Sequence, residues 1–142
     1  MHGDWVPLLE IGANRWFGRY RGRWWTGSDA EPKREVDLSL PFTLFPLLEF
    51  PVAEVSARLK SVEVPEELET ARIAESAMRS GMNYWATCAL EWLDQLPEIA
   101  DRDALLQLSK TAWASQATRH RAIRLLRRLR EPERDNTARA DA

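Results

Sequence analysis

The stretch Trp16-Phe17-Gly18-Arg19-Tyr20-Arg21-Gly22-Arg23-Trp24 decides how this chain is read. Its even positions hold Trp16, Gly18, Tyr20, Gly22 and Trp24, and its odd positions hold Phe17, Arg19, Arg21 and Arg23. Side chains of a strand point alternately to opposite faces, so a period of two predicts a half-buried strand with aromatics on one face and arginines on the other. Before it, Trp5 to Ile11 reads as a weaker strand that Pro7 confines to an edge, and Gly12-Ala13-Asn14 supplies the turn between the two. After it, Gly27, Ser28, Asp29 and Pro32 mark a longer loop from Thr26 to Arg34. A third alternation follows, with Val36, Leu38, Leu40 and Phe42 set against Glu35, Asp37 and Ser39.

Three strands within residues 5–42 assemble most simply as an antiparallel meander. The arginines of the second strand then sit opposite Glu35 and Asp37, where cross-strand pairs of opposite charge contribute a few tenths of a kcal/mol, roughly. Residues 43–51 come next, an apolar run broken by Pro46 and Pro51 just after Pro41. Prolines at that spacing forbid a regular helix or a central strand, so a buried connection from sheet to helices is expected.

Residues 52–130 carry helical signals. Val52 to Lys60 makes a short helix; Pro65 opens a second, with Glu66, Glu67 and Glu69 at its positive end, and Gly81 stops it. From Met82 to Leu96, the residues Met82, Trp85, Ala86, Ala89, Trp92, Leu93 and Leu96 share one face, with Asn83, Thr87, Glu91 and Asp94 on the other. Asp101 caps a short helix carrying Leu105 and Leu108, and a last helix begins near Ser115. From Glu131 onward no apolar residue exceeds alanine, and 131–142 is expected as a disordered tail. The fold class is therefore α+β: an N-terminal three-stranded antiparallel meander followed by a C-terminal bundle of four to five helices. All of it belongs to one domain over residues 1–130, a length that suits a single core.

The formal net charge of −2 rules out a uniformly basic nucleic-acid binder, yet it conceals a segregation. Residues 1–30 carry +1, residues 31–103 carry −8 and residues 104–142 carry +5. Either these parts neutralise each other within the fold, or each presents a surface of one sign to a partner.

The last helix concentrates that positive charge. Ala114, Thr118, Ala122, Leu125, Leu126 and Leu129 form its apolar stripe, while Arg121, Arg124, Arg127 and Arg128 lie opposite with His120 among them. So many like charges repel, and Glu91, Asp94 and Glu98 on preceding helices are candidates to offset them. A face left uncompensated suits an acidic protein or a phosphate-bearing ligand, because guanidinium donates in a planar, bidentate fashion. The strand arginines Arg19, Arg21 and Arg23, interleaved with Tyr20, Trp24 and Trp25, offer nucleic acid a second place to stack and pair.

Catalytic patterns are sparse. His120 has no serine, cysteine or carboxylate partner at local spacing, and no cofactor motif or glycine-rich phosphate loop occurs. Two histidines and one cysteine provide no zinc-site spacing, leaving a carboxylate-only metal site in the acidic middle as the alternative. Cys88 lies at the margin of an apolar face without a basic neighbour and reads as a packing residue. A lone cysteine excludes an intramolecular disulfide, no stretch reaches the roughly 18 apolar residues of a membrane span, and Met-His-Gly-Asp lacks a signal-peptide pattern. A cytoplasmic protein-interaction module, of adaptor, inhibitor or immunity type, is the expected function, with nucleic-acid binding through the C-terminal arginine face as the alternative. An enzyme with a carboxylate-based site comes third.

Overall fold

The computed structural model describes residues 3–39, 42–65 and 68–140, with backbone alone over 131–140. Four strands form one antiparallel sheet in chain order: β1 Val6–Gly12, β2 Arg15–Tyr20, β3 Arg23–Gly27 and β4 Pro32–Glu35. The architecture is α+β as expected, but the meander has four strands where the sequence suggested three. The extra one comes from the stretch that looked like a single strand. Trp16 to Trp24 is a hairpin, with Tyr20 paired to Arg23 across the two-residue turn Arg21-Gly22. Both turn residues have positive φ, 51° and 76°, as a type I′ hairpin turn requires. The Tyr20–Arg23 pairing switches which parity shares a face, but Gly22 and Trp24 continue the even-numbered series past the turn, so the alternation in the sequence concealed the reversal.

That reversal also redistributes the side chains. Antiparallel partners share a face, so Arg15, Phe17 and Arg19 stand with Trp24 and Thr26, while Trp16 and Tyr20 stand with Arg23 and Trp25. Phe17 stacks on Trp24 at 5.0 Å, and Tyr20 meets Trp25 edge-on at 5.4 Å. The core lies on the Phe17 side, where Leu9, Ile11 and Phe17 are buried. β1 is an edge strand, the place where Pro7 is tolerated. Gly18 permits the close approach of β1 to β2, since a Cβ there would lie 2.0 Å from the Val6 carbonyl oxygen.

The third alternation is not a strand from Val36 to Phe42. Pairing to β3 ends with β4 and the hydrogen bond from Val36 N–H to the Trp24 carbonyl at 2.8 Å. Asp37 then accepts from the N–H and hydroxyl of Ser39 at 2.9 and 2.6 Å, a local turn that competes with further ladder bonds. Of that expected strand, Leu40 lies outside the described residues, as does Pro41 beyond it.

The proline-punctuated connection becomes a 3-10 helix, Phe42–Glu49, with Pro46 inside it. Leu44, Phe45, Leu47 and Leu48 are all buried. This segment touches β1 and the later helices over Thr70–Met78 and Asn83–Gln95, so it occupies the middle of the molecule.

Five α-helices follow: α1 Val52–Ser61, α2 Thr70–Met78, α3 Asn83–Gln95, α4 Arg102–Leu108 and α5 Gln116–Ala140. α2 starts later than Pro65 suggested. Glu69 is extended and Leu68 is buried, so the chain here packs a side chain before it coils; Glu66 and Glu67 lie outside the described residues. Trp92 on α3 is fully buried and donates its indole N–H to the Phe50 carbonyl at 2.8 Å. Gln95, at the end of α3, accepts from the first N–H of α1 at 3.1 Å. Asp101 caps α4 through the Ala104 N–H at 2.9 Å. α5 packs against α3 and α4, and its backbone stays helical to Ala140, past the Arg130 boundary read from the sequence. The lack of large apolar side chains after Leu129 removes a reason to pack, while Glu, Arg and Ala still favour helical backbone.

Candidate functional site

The start of α5 is fixed by a small polar network. Ser115 accepts from the Thr118 N–H at 3.2 Å, and Asn83 of α3 accepts from the Ser115 N–H at 2.8 Å. The buried Thr118 hydroxyl lies 2.9 Å from that of Ser115 and 3.3 Å from that of Thr87. Arg119 donates to the carbonyls of Thr111 and Ala114 at 3.2 and 3.1 Å, which closes the loop between α4 and α5. With Ala114, Thr118, Ala122 and Leu125 buried, the leucines point inward as the spacing predicts. The rotation of the arginines is thereby set.

Those arginines divide into two groups. Arg121 and Arg128, two turns apart, converge on Asp94 of α3 at 2.6 and 3.0 Å, and Arg121 also reaches Glu91 at 4.0 Å. Two of the three carboxylates expected to offset the helix do so; Glu98 makes no ion pair with α5 among the described residues. His120, Arg124 and Arg127 form the second group, all exposed. With the half-buried Ile123 they line a shallow cleft of about 370 Å³. Among the described residues Arg124 and Arg127 have no acidic partner. Ile123 was not singled out in the sequence, because it sits between the stripe and the charged face at the edge of both.

The strand arginines do not make a row. Arg19 is on the Phe17 side of the sheet, 5.9 Å from the Trp24 ring and 3.9 Å from Glu63. Arg21 occupies the hairpin turn with its guanidinium 5.0 Å from the Tyr20 ring. Arg23 is on the opposite face and pairs with Glu35 at 3.1 Å. The hairpin therefore disperses the second basic surface that the linear sequence implied.

Two carboxylates do share a cleft, of about 600 Å³, where Glu35 and Asp37 face Arg23, Trp24 and Ser39. Both are committed: Glu35 to Arg23, and Asp37 to Ser39, whose hydroxyl and N–H hold the Asp37 carboxyl below its ordinary pKa. No three His, Cys, Asp or Glu side chains among the described residues gather closely enough to hold a metal ion. Cys88 is half-buried beside Tyr84, and burial pushes its thiol pKa up, the opposite of an activated nucleophile. No described helix is long and apolar enough to cross a membrane.

These features describe an α+β protein with a partly neutralised basic helix at one edge. Compared with known protein families, with characterised proteins and with solved structures, the chain matches none of them.

Proposed function

We propose that the protein is a non-enzymatic interaction module whose α5 face binds an acidic segment of a protein partner. One observation carries this reading: Asp94 pairs with Arg121 and Arg128, while the adjacent Arg124 and Arg127, beside His120, have no acidic partner among the described residues. Arg124 and Arg127 are three residues apart, one above the other on the helix, and can hold two carboxylates in forked hydrogen bonds. Ile123 gives such a partner an apolar contact beside them. The dispersal of Arg19, Arg21 and Arg23 removes support from the nucleic-acid alternative, which needed an extended basic surface.

Charge reversal at Arg124 and Arg127 tests it. Affinity-tagged wild-type protein from its native cells should retain a partner that the R124E/R127E variant loses, at unchanged melting temperature. Reversal of Arg121 should instead lower stability through the loss of its pairing with Asp94. Binding to RNA or DNA at low salt that the double variant abolishes, with no protein partner affected, would refute the reading.

A further inference from the structure

A second cationic site lies on the core-facing side of the sheet, away from α5. Register sets it up. Phe17, Thr26 and Arg34 are cross-strand neighbours on one face, and Arg15 is two residues before Phe17 on that same face. The face that buries Phe17 thus ends in two arginines. Lys33 joins them at the register shift between β3 and β4, where a bulge adds a residue. Asn14 in the β1–β2 turn, at φ 51°, accepts from the Asp29 N–H at 3.3 Å and pins that turn to the β3–β4 loop. Between them opens a cleft of about 480 Å³, with Ile11, Thr26 and Gly27 among its lining and Thr43 of the 3-10 helix at its side.

Two properties of this cleft point the same way. Its charged lining is wholly positive, Arg15, Lys33 and Arg34, and none of them forms an ion pair among the described residues. Arg15 on β2 and Arg34 on β4 reach over the intervening β3 toward one cleft, and an anion between them offsets the repulsion of their like charges. Thr43 closes the cleft on the 3-10 helix side, its hydroxyl sealed from solvent. The volume lies within the range of small-molecule sites and exceeds what a bare anion fills.

We infer that this cleft binds a phosphate group, carried by a small phosphomonoester or as the free anion. Arg15 and Arg34 clamp the phosphate oxygens from two strands, and Lys33 adds a third charge at the rim. The site is independent of α5. Phosphate binding and partner binding can therefore fail separately.

The test titrates inorganic phosphate, and separately glycerol 3-phosphate, into the full chain at constant ionic strength. Backbone amide shifts of Thr26, Gly27, Arg34 and Thr43 are followed by NMR. Saturable shifts at these amides are expected in wild type. The R15Q/R34Q variant should bind about tenfold or more weakly, since both charge-assisted clamps are gone. Equal affinity for the two probes identifies the free anion as the ligand, and tighter binding of the ester identifies a phosphomonoester. R124E/R127E should leave both titrations unchanged. Absence of saturable shifts with either probe, or an unaltered titration in R15Q/R34Q of native circular dichroism, overturns the inference.

Discussion

Replacing Trp92 with phenylalanine should weaken the fold by about 3 kcal/mol, and the structure says where that comes from. Trp92 is 0% exposed, and its indole N–H is bonded to the Phe50 carbonyl at 2.8 Å, tying α3 to the end of the 3-10 helix. Phenylalanine fits the site but is smaller by about 40 Å³, which at ~24 cal/mol per Å³ of unfilled cavity costs about 1 kcal/mol. Leaving the Phe50 carbonyl without its indole donor in a buried setting adds about 1–3 kcal/mol. Urea unfolding followed by far-UV circular dichroism should show the midpoint falling with little change in slope, and the melting temperature dropping by roughly 10 °C. Trp113 is 36% exposed, and its phenylalanine variant should stay within about 0.5 kcal/mol of wild type. If W92F lost less than about 1 kcal/mol, or no more than W113F, Trp92 would not be the link between α3 and the connection.

Gly18→Ala should cost about 3 kcal/mol or more, because its Cβ would meet the Val6 carbonyl and Pro7 Cα, both backbone, whereas Gly3→Ala, in open space, should be neutral; thermal melts of the two distinguish them. Asp94→Ala should lower stability by about 1 kcal/mol at low salt and by less at high salt, since its two arginine partners are partly exposed; an equal loss at both would contradict the pairing. Cys88 should react with iodoacetamide along a pH profile displaced above that of an ordinary thiol, because burial holds the proton on. The same shift stabilises the fold fully below the unfolded thiol pKa and is lost as pH rises through the folded one. The neighbouring Tyr84 hydroxyl partly offsets the effect of burial, so Tyr84→Phe should displace the alkylation profile further upward.

What was legible in the sequence depended on how local the cause was. The inward face of α5, the Asp101 cap and the extent of α1 follow from spacing within a few residues, and the structure agrees with each. The β2–β3 hairpin was hidden because Gly22 and Trp24 continue the even-numbered series past the turn, although the turn itself switches which parity shares a face. That one misreading moved Phe17 from the outer face to the core and turned an arginine row into three unrelated contacts. Arg15 and Arg34 could not be paired from the sequence at all. Their common face depends on the register of β2, β3 and β4, including a bulge with no sequence mark. Asp94 was visible as a candidate counter-charge, but its choice of Arg121 and Arg128 over Arg124 and Arg127 depends on how α3 and α5 are set against each other.

The 3-10 helix at the centre has a consequence for synthesis. The sheet's neighbours in space are neighbours in sequence, so each hairpin can close as soon as its second strand leaves the ribosome. The face those hairpins bury is covered by Leu44, Phe45, Leu47 and Leu48, and that cover is held in place by α2 and α3, which come later in the chain. A nascent chain stopped near residue 50 therefore holds four strands with one apolar side open to water, a state prone to pairing with other chains. Completion of α3, and with it the arrival of Trp92, marks the length at which the N-terminal half gains a stable interior.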